Sequence, residues 1–95
     1  MNMLALLTIA VFISDPEQQS DTSQQIITRL FGFTPAEASL AMQLAKGLSL
    51  ADASAELAIS QHTARAQLKA IFAKTGVTRQ AELVRLLVKS VANLG

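Results

Sequence analysis

The chain contains no cysteine, no tryptophan and no tyrosine, and its single histidine is His62. Without cysteine there is no disulfide, no thiolate metal site and no thiol nucleophile, a composition that fits a reducing cytoplasm. The four aromatics are Phe12, Phe31, Phe33 and Phe72, so the core must be assembled from leucine, isoleucine, valine and alanine, which suits close-packed helices. One histidine, with no pair of carboxylates spaced to share a site, offers little for general acid–base or metal chemistry. The serines and threonines stand mostly where helices would begin. An enzyme is therefore not expected, nor a metal or other cofactor. Ninety-five residues allow one small domain with a modest core.

Charge is also scarce, with a net value of +1, and taken alone this argues against a nucleic-acid partner. Its distribution argues the other way. Residues 1–32 hold Asp15, Glu17 and Asp21 against Arg29, a sum of −2. Residues 33–95 hold Lys46, Arg65, Lys69, Lys74, Arg79, Arg85 and Lys89 against Glu37, Asp52, Glu56 and Glu82, a sum of +3. The basic excess is confined to the second stretch but is mild, so one copy is expected to bind DNA weakly and to need a second.

Residues 4–13, LALLTIAVFI, form a continuous apolar run. It is too short to cross a bilayer, which takes about 20 residues, and no membrane partner is expected. No basic segment precedes it and no small-residue cleavage site follows it, so it does not read as a signal peptide. Thr8, Ile9, Val11 and Ile13 are β-branched, which favours a strand buried on both faces. A lone strand is not stable in water. Residues 1–22 are accordingly read as a strand-like arm plus a polar linker, SDPEQQSDT, the arm either packing on the helices or, as the preferred reading, remaining as the last strand of an upstream domain. Residues 23–95 are read as the folded domain.

That domain opens with a short helix from Ser23 to Phe31, with Ile26, Ile27, Leu30 and Phe31 at helical spacing and Gly32 as terminator. Thr34-Pro35-Ala36-Glu37 is a capping box that starts a second helix running to Lys46 and stopping at Gly47. Ser49 caps a third, from Leu50 to Leu57, and Ser60 a fourth, to Lys74. Ala58 and Ile59 leave room only for a sharp corner, as in a helix-turn-helix. On the fourth helix Ala64, Leu68, Ile71 and Phe72 form an apolar stripe, while His62, Arg65 and Lys69 share the opposite side. Ser54 and Ala64 are small where the third and fourth helices should cross. Short polar and basic side chains on an exposed helix start suit entry into the DNA major groove. Gly76 closes this helix, and Thr78 is expected to cap a last one, from Arg79 to Ala92. That helix has more apolar positions than one face needs.

The ordered motifs from Phe33 to Leu87 resemble the C-terminal DNA-binding domain of the LuxR family of bacterial transcription regulators. The family's opening Leu-Thr-x-x-Glu is matched by Phe33-Thr34-Pro35-Ala36-Glu37, and its apolar helix ending in glycine by Leu40, Leu44 and Gly47. Its Ile-Ala-x-x-Leu-x-Ile-Ser corresponds to the stretch from Ala53 through Leu57 and Ile59 to Ser60. Its Thr-Val-Lys-x-His-Leu-x-x-Ile-x-x-Lys-Leu-Gly-Val corresponds to Thr63 through Arg65, Gln67, Leu68, Ile71, Lys74 and Gly76 to Val77. The chain departs from the pattern at Ser54 (alanine in the family), Ala64 (valine), Gln67 (histidine) and Thr75 (leucine). Gln80 stands where the family usually has arginine.

The resemblance implies an all-α fold: a four-helix helix-turn-helix domain of LuxR type, here preceded by a short helix and one N-terminal strand-like arm. It implies sequence-specific binding of double-stranded DNA as the output domain of a cytoplasmic bacterial transcription regulator, with RNA polymerase as a further partner. Arg65, Ala66 and Lys69 would face base edges, Arg65 reading guanine through two acceptors and Ala66 offering a methyl contact. His62, Thr63, Lys46, Lys74 and Arg79 would touch the phosphate backbone. The family commonly dimerises through the last helix, which points to Leu83, Leu87, Val88 and Val91 as a homodimer contact. The competing reading, motivated by the low net charge and by Gln67, is a helix-turn-helix that serves oligomerisation or protein contacts without DNA. The promoter-reading region of sigma factors is set aside, because that module normally follows other sigma regions.

Overall fold

Helix starts and stops in this chain coincide with short-range signals, so the elements can be followed cap by cap. The computed structural model describes residues 16–94, with side chains from 22 to 92. These residues form five helices: α1 (Pro16–Phe31), α2 (Pro35–Ala45), α3 (Leu50–Glu56), α4 (Gln61–Thr75) and α5 (Gln80–Leu94). Among the described residues there is no strand, so this part of the chain is all-α. The strand-like arm expected at residues 4–13 lies outside the described residues.

Two boundaries differ from expectation. The first helix begins at Pro16, not Ser23, so most of the stretch read as linker is helical. An Asp-Pro dipeptide such as Asp15-Pro16 is a turn signal, but proline is equally suited to the first helical position, where no amide donor is needed. At the other end Thr78 does not cap α5. The carbonyl of Arg79 accepts the first helical bond, from the Leu83 amide at 3.0 Å, which puts Arg79 at the cap position.

The remaining signals hold. Thr34 and Glu37 form a reciprocal capping box, the Thr34 amide donating to Glu37 Oε1 at 2.9 Å and the Glu37 amide to Thr34 Oγ1 at 3.2 Å. Ser49 Oγ accepts from the Asp52 amide at 3.1 Å, and Ser60 Oγ from the Thr63 amide at 3.0 Å. Replacing such a cap by alanine typically costs about 1 kcal/mol.

The corner between α3 and α4 is built on Ala58, which adopts a positive φ of 55°. Its amide donates to the Ala55 carbonyl at 3.2 Å, and the Ile59 amide to the Ser54 carbonyl at 3.0 Å. That pair of bonds is the Schellman closure of a helix end, usually made with glycine at the left-handed position. Leu57 and Ile59, on either side of Ala58, are partly buried against the core, so the chain turns sharply while keeping its apolar side chains inside.

α2 lies at the centre and packs against the four other helices; α3 also packs on α4, and α1 on α5. Ile27 from α1, Leu40 and Leu44 from α2, Ile71 from α4 and Leu83 and Leu87 from α5 are the largest fully buried side chains. Each contributes roughly 1.5–3 kcal/mol by burial. Phe31 and Phe33 stack across Gly32 with centroids 5.4 Å apart, closing α1 onto the core. Ser54 and Ala64 are both buried, as their small size at the α3–α4 crossing predicts.

The last helix requires a correction. Leu83 and Leu87 are 0% and 1% exposed; they are core residues of the single chain and are unavailable for a homodimer contact. Val88 is 51% exposed and Val91 is partly buried. Periodicity identified the apolar positions of α5, but α1 and α2, packed against it, decide which of them are covered.

Candidate nucleic-acid interface

α4 is held at both ends and divided lengthwise. Ala64 and Ile71 are buried, and Leu68 and Phe72 pack partly against the core, so the predicted stripe faces inward. His62, Thr63, Arg65, Ala66 and Lys69 are all exposed on the remaining surface. Their spacing puts Arg65, Ala66 and Lys69 within about a quarter to a third of the helix circumference, with His62 one turn before Arg65. Among the described residues neither Arg65 nor Lys69 takes part in an ion pair; the Lys74–Glu37 pair is the one found. The face therefore presents an uncompensated guanidinium and ammonium on a rigid helix. Thr63 sits in the first turn, where its Oγ1 accepts from the Ser60 hydroxyl at 3.0 Å.

Lys74 is placed differently from the other cations. Its Nζ donates to Glu37 Oε1 at 2.5 Å, joining the last turn of α4 to the first turn of α2. Glu37 is 8% exposed, and its carboxyl is held below its ordinary value of 4.5, first by the Lys74 hydrogen bond and then by the Thr34 amide, against the opposing effect of burial. The expectation that Lys74 contacts a phosphate meets a competing partner inside the protein. The capping box in the sequence points to capping as the main role of Glu37. It does cap, but the same oxygen also binds Lys74, and two residues 37 positions apart carry no local signal of their pairing. Lys46 is exposed at the end of α2, and Arg79 is exposed just ahead of α5.

Two of the departures from the family pattern are absorbed locally. The Ser54 hydroxyl donates to the Ala51 carbonyl at 2.8 Å and the Thr75 hydroxyl to the Ile71 carbonyl at 2.9 Å, so neither leaves an unsatisfied polar atom. Gln67 does not fit as well: its Oε1 is buried and has no hydrogen-bond partner among the described residues.

Among the described residues no group of three or more histidine, aspartate or glutamate side chains could hold a metal ion, and no helix is long and apolar enough to cross a membrane. An open hollow between α1 and the start of α2 is lined by Gln24, Gln25, Thr28, Arg29 and Pro35. Comparison with protein-family models, curated proteins and solved structures found no match to this chain.

Proposed function

We propose that this chain binds double-stranded DNA in a sequence-dependent way, as the output domain of a bacterial transcription regulator of LuxR type, with α4 as the reading helix. One observation carries the reading: α4 buries Ala64 and Ile71 and leaves Arg65, Ala66 and Lys69 exposed together, with both cations unpaired among the described residues. A helix anchored on one side and basic on the other fits the major groove, where an arginine fork matches the two acceptors of guanine. Thr63 and His62, in the first turn, are suited to a phosphate at the positive end of the helix. The protein acts as a binding module in the cytoplasm, works as a homodimer through the Val88 side of α5, and has RNA polymerase as a further partner.

Retention of random duplex DNA at low salt, followed by selection of bound sequences, tests the reading. Arg65→Ala is expected to cost about 1–3 kcal/mol of specific binding and to relax preference at one base position. An unchanged preference at matched salt would remove Arg65 from the base-reading role. A protein-contact module is the second reading, favoured by the low net charge and by the engagement of Lys74 with Glu37. Failure to retain any duplex at low salt would select it.

A further inference from the structure

The basic side chain nearest the end of the reading helix is directed to the protein's own scaffold. We propose that Lys74 is a positioning residue and not a phosphate contact: tied to Glu37, it fixes the angle at which α4 presents Arg65, Ala66 and Lys69. The proposal rests on the DNA-binding reading and names what sets its geometry.

Glu37 Oε1 accepts from two donors at once, the Thr34 amide and Lys74 Nζ. One oxygen thus fixes the first turn of α2 and the last turn of α4. The side chains are 10% exposed for Glu37 and 34% for Lys74, so the carboxylate is largely out of water and its partner is not a freely solvated chain end. Losing the ammonium leaves a mostly buried charge without its main partner, which is costlier than breaking a surface ion pair. The paired charges sum to zero, and a neutral pair attracts a phosphate only weakly.

Mechanically, α4 is fixed at its start by the Ser60 cap and the Ala58 corner, and Lys74 acts at the far end. Ser60 and Lys74 are about 21 Å apart along the axis and Lys69 lies about 13–14 Å from Ser60, at 1.5 Å per residue. Pivoting on the corner, a 1 Å movement at Lys74 would shift Lys69 by roughly 0.6 Å, at the limit of about 0.5 Å within which a binding constellation stays productive. The pair is thus placed where a small release has a readable effect on the exposed face.

The test uses the full chain as wild type and as Lys74→Gln, Glu37→Gln, the double variant and Lys74→Arg, at a temperature where circular dichroism shows all five folded. Binding is measured across a salt series to random duplex and to the duplex selected by the wild type. Positioning predicts that Lys74→Gln leaves the salt slope on random duplex unchanged while weakening the selected site about threefold or more. Glu37→Gln should weaken the selected site similarly, although it adds net positive charge and frees Lys74. The double variant should be no worse than either single one, as for residues acting as a unit, and Lys74→Arg should restore binding. A slope reduced by about one for Lys74→Gln marks a phosphate contact and overturns the proposal. So does tighter binding by Glu37→Gln, the result expected from charge alone. If the wild type itself retains no duplex at low salt, the DNA reading falls and the proposal with it, an outcome distinct from a wild type that binds while its Glu37→Gln variant binds better.

Discussion

Ala58→Gly should make this domain more stable. Ala58 holds the corner before α4 at φ 55°, a conformation that costs a residue with a Cβ roughly 1–2 kcal/mol. Its side chain is exposed, so removing the methyl group sacrifices little packing. Opposing the gain, glycine widens the unfolded ensemble, at a cost of about 0.4–1 kcal/mol. The difference favours glycine by about 0.5–1 kcal/mol. For a domain of this size that is roughly 2–8 °C in melting temperature.

The chain carries its own control. Gly76, at φ 81°, ends α4, and a Cβ there would meet nothing within 4 Å among the described residues. Gly76→Ala therefore incurs the backbone cost without a clash, and should destabilise by about the amount that Ala58→Gly gains. Thermal and urea unfolding followed by circular dichroism measure both. If Ala58→Gly lowers the melting temperature while Gly76→Ala behaves as expected, the corner is not strained and the argument fails. If the two substitutions change stability in the same direction, the backbone account of both positions is refuted.

The other expectations concern Glu37, Gln67 and α5. The Glu37 pKa is lowered in the folded chain, so its contribution is fully present above the unfolded value of about 4.5 and is lost as pH falls through the folded value. Urea unfolding from neutral to acid pH should show this loss, and a Glu37→Gln chain with an equally steep acid decline would argue against it. Gln67→Met keeps the length of the side chain and removes the buried Oε1 that lacks a partner among the described residues; it should stabilise by about 1 kcal/mol, and a destabilised variant in urea melts would mean that the oxygen is hydrogen-bonded in the folded chain. Leu87→Ala should cost about 2–5 kcal/mol as a cavity in the core. Val88→Glu should leave stability nearly unchanged and weaken binding to a two-half-site duplex more than to a half-site, whereas equal losses on the two duplexes would take Val88 out of a dimer contact.

The sequence by itself determined the starts and stops of most helices, because those signals act over three or four residues. Thr34 with Glu37, Ser49 and Ser60 satisfy amides in their own first turns, and Gly47 and Gly76 accept positive φ wherever the chain goes next. The inward stripe of α4 was readable too, since a helix fixes which residues share a side. Pro16 was not, because proline serves a turn and a first helical position equally well. The tertiary structure decided what each face meets. Four apolar side chains of α5 look alike in sequence; packing against α1 and α2 buries Leu83 and Leu87 and leaves Val88 exposed. In the same way Lys74 and Arg65 are both cations on one helix, and only the approach of α2 gives Lys74 a carboxylate, while Arg65 has none among the described residues. Caps and periodicity are properties of neighbouring residues, whereas burial and charge pairing depend on which helix arrives from elsewhere in the chain.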